Sequence, residues 1–167
     1  MISSFFVYYF LFWNNIYWED FMNIKKLIWS IAIPIIMGII VSLIMMPFND
    51  YSSLNQPPLA PPGIAFPIVW TILYILMGIS AYMVSENNGN LFTYYVQLVF
   101  NGLWSIIFFV FKFRLLAFIW IIILIILVIK MIREFLKVSK TAGYLQIPYL
   151  IWLLFAAYLN FGVYILN

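Results

Sequence analysis

The residues of this chain that could do chemistry fall on three helical faces and one loop. Gln97, Asn101 and Trp104 are spaced four and three apart, so a helix lines them up on one side. Tyr149, Trp152, Ala156 and Asn160 fall at offsets of three, seven and eleven, again a single face. Trp70 and Tyr74 stand one turn apart on a third. Before them runs LNQPPLAPPG, with Pro57, Pro58, Pro61 and Pro62 inside six positions. Each proline fixes its own φ, lacks an N–H and pushes its predecessor into an extended conformation. Such a stiff segment suits the mouth of a helix bundle, where it would act as a lid.

Rings, amides and hydroxyls bind better than they catalyse. The chain has no cysteine and no histidine, which removes thiolate chemistry, the usual metal ligands and the usual general base near neutral pH. The five carboxylates Glu19, Asp20, Asp50, Glu86 and Glu134 all lie outside the apolar runs, so no buried acid pair or proton relay can form. There is no G-x-G-x-x-G and no Walker A motif. No catalytic residue, metal site or required cofactor is expected.

The elements that must position these faces span a membrane. The chain is 67% hydrophobic and 8% charged, with a mean hydropathy of +1.10. A soluble domain carries roughly a quarter charged residues. The sequence therefore predicts an all-α integral membrane protein, a five-helix bundle with spans near Leu27–Met46, Ile64–Val84, Leu91–Phe111, Leu115–Ile132 and Gly143–Leu166. Twenty residues at 1.5 Å rise cover about 30 Å, the hydrocarbon thickness. SENNGN (85–90) and KFR (112–114) are tight connections, and REFLKVSKTA (133–142) reads as the charge-rich loop. The fourth span, nearly pure Leu and Ile, is expected to face lipid.

Six basic residues fall on the side of Lys25, the 85–90 turn and the 130–142 segment, and two on the side of the proline loop. That bias puts the N-terminus in the cytoplasm and the first loop and C-terminus outside. The net charge of +3 fits this topology and calls for no nucleic acid. Residues 1–21 hold an apolar run of nine, Phe5–Trp13, half of a span. MNIKKLIWS from Met22 is how a bacterial inner-membrane protein commonly starts, so 1–21 is read as an extension with translation beginning at Met22. The membrane domain is then 22–167. The alternative is a short interfacial helix.

A buried amide must be hydrogen-bonded. Gln97, near a membrane edge, is expected to join helices, whereas Asn101, mid-span beside Trp104, serves either such a bond or a pocket. Ala156, small between rings, leaves room for another helix or for a ligand. The 22% aromatic content suits membrane packing and a flat aromatic guest alike.

Three motifs in order carry a resemblance: the proline loop running into FPIVWTILY, NGLWSIIFF in the third span, and PYLIWLLFAAYLN in the fifth. From Lys26 to Asn167 the chain resembles the TspO/MBR family, the tryptophan-rich sensory proteins and relatives of the mitochondrial translocator protein. The resemblance implies a five-helix bundle, often a homodimer, binding porphyrins such as protoporphyrin IX, sterols and other hydrophobic small molecules. It implies a pocket under the first loop that uses Tyr51, Pro57, Pro58, Leu59, Pro61 and Pro62, with Trp70 and Tyr74. Asn101 and Trp104, then Trp152, Ala156 and Asn160, would complete it. The role implied is that of a receptor or carrier with a sensory or stress-regulatory function in the plasma membrane.

Porphyrin transport is one alternative, and light-dependent porphyrin breakdown another. Some bacterial relatives degrade porphyrin in light with loop and fifth-helix tryptophans. This chain keeps Trp152 but has Leu59 where the family loop carries Trp, so binding is expected without efficient photodegradation. Haem iron is held by His, Cys, Met or Tyr, and with the first two missing a metal-free porphyrin is expected. No Arg or Lys is expected beside the pocket to meet an anionic group.

Overall fold

The structure, a computed structural model, describes residues 23–167. The reading of residues 1–21 and of a start at Met22 lies outside the described residues. Among those described there are five helical spans, all long and apolar enough to cross a membrane, and no strand. The chain is an all-helical integral membrane protein.

Helix α1 runs Ile24–Met45. It opens where the Asn23 side chain accepts from the Lys26 amide at 3.1 Å, which satisfies one of the free N–H groups of a helix start. Two 3-10 turns, Met46–Phe48 and Tyr51–Ser53, lead through the proline segment to α2, Ala65–Glu86. Helix α3 covers Phe92–Ser105 and continues as a π-helical turn over Ile106–Val110. Helix α4 is Arg114–Val138, followed by a short α5, Lys140–Tyr144, and by α6, Ile147–Leu166.

Two expectations about α4 change. The stretch 133–142 is not a loop: helix persists to Val138 because REFLKV contains no Gly or Pro and Phe135 is wholly buried. The chain breaks at Ser139, whose side chain caps α5 by accepting from the Ala142 amide at 3.3 Å. Nor does α4 merely face lipid. Ala117, Ile121, Leu124, Val128, Met131 and Phe135 recur at intervals of four and three, and all six are wholly buried. This helix is the spine on which α3 and α6 pack. It is α1 that lies at the periphery, with only Pro34 buried.

The connections sort onto two ends of the bundle, as the counting of basic residues assumed. At one end Lys26 pairs with Glu86 at 2.7 Å and Asn23 N–H donates to the Tyr82 hydroxyl. At the other, here called the loop end, Asp50 meets Lys112 and Arg114, and Asn55 exchanges hydrogen bonds with Asn167. At the first end the helices touch closely. A Cβ on Gly78 would strike the backbone of Ser30 and Ile31, so α1 and α2 are held together there by a glycine. Ser80 Oγ donates to the Ala142 carbonyl at 2.6 Å and fastens α2 to α5.

Candidate functional site

From the Gly78 contact toward the loop end, α1 and α2 part. A cavity of about 700 Å³ opens between α1, α2, the π turn of α3 and α6. That volume lies in the range of small-molecule sites, roughly 300–1,000 Å³. Its walls are mostly apolar and aromatic: Phe66, Trp70, Tyr74, Trp104, Phe108 and Phe109 supply rings, and Ala156 supplies the recess between them. The π turn gives the last stretch of α3 an extra residue, and Phe108 and Phe109 of that turn both reach the cavity. Ile39 and Leu43 of α1, Ile64 just before α2 and Pro67 of α2 line the cavity and are exposed. They rim a side opening between these two helices.

Polar groups fix the walls. Trp104 Nε1 donates to Asn160 Oδ1 at 3.2 Å, and Asn160 Nδ2 donates to the Arg114 carbonyl at 2.9 Å. One amide thus joins α3, α4 and α6. Asn101 holds a second junction: its Nδ2 donates to the Tyr149 hydroxyl at 2.8 Å, which donates to Gln97 Oε1 at 2.9 Å. The Tyr74 hydroxyl completes it with a long bond of 3.4 Å to Asn101 Oδ1. Gln97 joins helices as expected. Trp70 stacks on Tyr74 at 5.4 Å between centroids and meets Tyr149 edge-on at 6.2 Å.

Of the residues singled out from the sequence, Tyr51, Trp70, Tyr74, Trp104, Ala156 and Asn160 line the cavity together. Asn101 is buried one turn away and reaches the wall through Tyr74. Trp152 stands one ring back, edge-on to Phe66 at 5.9 Å, with its buried Nε1 lacking a partner among the described residues. The proline segment is not brought to the cavity. Pro57 is buried against Gly162 of α6, and the Pro58 carbonyl accepts from the Tyr158 hydroxyl at 2.7 Å. The Pro61 carbonyl accepts from Tyr51 at 2.8 Å, and Pro62 is exposed.

Leu59 points away, 84% exposed, at φ 66. With Pro58 before it and the Ala60 amide bonded to the Pro57 carbonyl at 3.2 Å, it takes the turn position that demands a positive φ. The segment straps the loop to α6, and the cavity roof is made instead by Asn49, Tyr51, Ser52 and Gly63.

Sequence reasoning missed the α1 wall, which includes Ile35, Gly38, Val41 and Ser42, and the rings of Phe66, Phe108 and Phe109. Gly38 was the available signal, for a Cβ there would run into the Tyr74 ring. It also missed the charges next to the wall residues, having expected no Arg or Lys there. Arg114 Nη2 spans both oxygens of Asp50 at 3.0 Å, its Nη1 donates to the Phe108 carbonyl, and Lys112 reaches Asp50 at 3.1 Å. Partial burial raises the Asp50 pKa, but the bonds and charges of Lys112 and Arg114 outweigh it and hold the carboxyl below 3.8. Burial raises the Tyr51 phenol above 10.0, so it remains a donor to Pro61.

Fold and site together define a polytopic helical membrane protein with an aromatic chamber at one end. The sequence profile of the TspO/MBR family matches residues 5–166, and the chain belongs to that family. The match reaches further toward the N-terminus than the resemblance, which begins at Lys26. It is 39% identical over 153 residues to the tryptophan-rich protein TspO of Archaeoglobus fulgidus, covering 87% of this chain and 99% of that one. To the tryptophan-rich sensory protein of Cereibacter sphaeroides it is 36% identical over 127 residues, 74% of this chain and 80% of the relative. To the translocator protein of Ovis aries it is 31% identical over 125 residues, 70% and 74% of the two chains.

Proposed function

We propose that this protein is a membrane receptor or carrier for tetrapyrroles such as protoporphyrin IX and for related flat hydrophobic molecules. The observation that carries this reading is the ring-lined cavity of about 700 Å³. Its walls offer stacking surface, with a few hydroxyls and amides to orient a guest. The side opening between α1 and α2 would admit a guest dissolved in the bilayer. Relatives named as sensory and translocator proteins support a role in sensing or translocation. The loop end, with two of the eight basic residues, is assigned to the extracytoplasmic side of the plasma membrane.

Quenching of tryptophan fluorescence by protoporphyrin IX tests the reading, because Trp70 and Trp104 lie in the walls. Saturable quenching that weakens in Ala156→Phe is expected. Quenching that is linear in porphyrin and identical in the variant would refute a bound guest. Sensing and carriage separate in proteoliposomes: a carrier moves porphyrin across the bilayer in the dark, and a sensor binds it without flux.

A further inference from the structure

Behind the wall residues Phe108, Asn49 and Tyr51 the charges do not balance. Among the described residues the loop end holds three charged side chains, Asp50, Lys112 and Arg114, so two cations share one carboxylate. Arg114 is the buried member, with its side chain 11% exposed against 53% for Lys112. Its guanidinium lies 4.1 Å over the centroid of Phe108, whose residue lines the cavity. Its hydrogen bonds leave from Nη1 and Nη2, and Nε has no partner among the described residues. Asp50, for its part, sits between Asn49 and Tyr51, which form the roof. A guanidinium backed by a ring and held within one residue of an apolar chamber is suited to a bidentate grip on an anion.

We infer that Arg114 is the anion subsite of the cavity, and that its preferred guest is an apolar molecule ending in a carboxylate, which replaces Asp50 on the guanidinium. This rests on the cavity being a ligand site. Asp50 is the resident counter-ion in the unliganded protein. When a guest carboxylate takes Arg114, Asp50 keeps Lys112, so the exchange leaves no charge unpaired, and an unpaired buried charge is what normally forbids breaking such a pair. The loop that carries Asp50 also carries the roof, so the exchange releases the roof from α4 as the guest enters.

The test compares protoporphyrin IX, which has two carboxylates, with its neutral dimethyl ester, by tryptophan quenching of the full chain in nanodiscs. The acid is expected to bind about tenfold or more tightly than the ester, the scale of one charge-assisted contact. Arg114→Gln should remove that preference and leave ester binding in place. Asp50→Asn should raise acid affinity, the direction opposite to damage, so the inference stays open to refutation even where the Arg114 variant fails to fold. Equal binding of acid and ester by the unaltered chain would overturn the anion subsite while leaving the cavity reading standing. Unchanged or weaker acid binding in Asp50→Asn would overturn the exchange. If neither form binds, the cavity reading falls and takes the subsite with it.

Discussion

The two ends of this bundle are built from the same apolar residue types and do opposite things. At the end near Gly78 the backbones of α1 and α2 are in contact, and Ser80 is tied to Ala142. At the loop end the same two helices diverge around rings too bulky to interleave, and a cavity remains. Small residues let backbones meet, and a pair such as Trp70 and Tyr74 props them apart. In a bilayer no hydrophobic pressure closes such a gap, because lipid is as apolar as the side chains. What keeps the chamber shaped is its polar joinery: Asn160 bridging Trp104 to Arg114, and Asn101 bridging Tyr74 to Tyr149.

The contrast can be broken most severely at the closed end. Gly78→Leu places a branched side chain against backbone that cannot move aside, and a loss of about 3 kcal/mol or more is expected. Gly102→Ala meets only side-chain tips, Val41 at 3.2 Å and Met37 at 3.7 Å, and should cost under about 1 kcal/mol. Denaturant titration in detergent compares the two, and equal losses would show that the ends do not differ in tightness. At the open end Ala156→Phe should fill the recess with little change in stability, lowering porphyrin affinity about tenfold or more.

The polar joinery comes next. Asn101→Leu should cost about 1–2 kcal/mol, since Tyr149 keeps Gln97 and only Tyr74 loses its partner outright. A double-mutant cycle with Tyr149→Phe should return a coupling near 1 kcal/mol, about the value of one bond. Leu59→Asn should stabilise by about 0.5–1 kcal/mol, because asparagine tolerates the positive φ that this turn imposes.

The smallest effect is the acid response of the loop. Because the burial of Asp50 is outweighed by Lys112 and Arg114, which hold its carboxyl below the usual carboxylate range in the folded protein, its share of stability is present above that range. It fades as the pH falls through the folded value. Proteolysis within 49–55 should accelerate in that acid window, and Asp50→Asn should abolish the dependence.

Much of the fold was legible. Spans, end grouping and three polar faces follow from hydropathy, turn residues and helical spacing, and the structure brings Trp70, Trp104, Ala156 and Asn160 to one chamber. The spine role of α4 was not legible. A span of Leu and Ile looks the same whether it meets lipid or protein, because both partners are apolar, and its buried set at intervals of four and three emerges only from the structure. The proline segment misled for a related reason. Its stiffness was readable, but the surface it would dock on was not, and Gly162 and Tyr158 of α6 claim it.

The sequence by itself determined that this chain lives in a membrane as five helices, and which side chains each helix turns the same way. Hydrophobic transfer and backbone geometry act within a single segment, so they can be read without neighbours. Tertiary structure alone decided where helices touch or part, that Arg114 stands behind the Phe108 ring, and that two cations share Asp50. The Arg114–Asp50 pair joins residues sixty-four apart in the chain, and no local pattern records which surfaces meet.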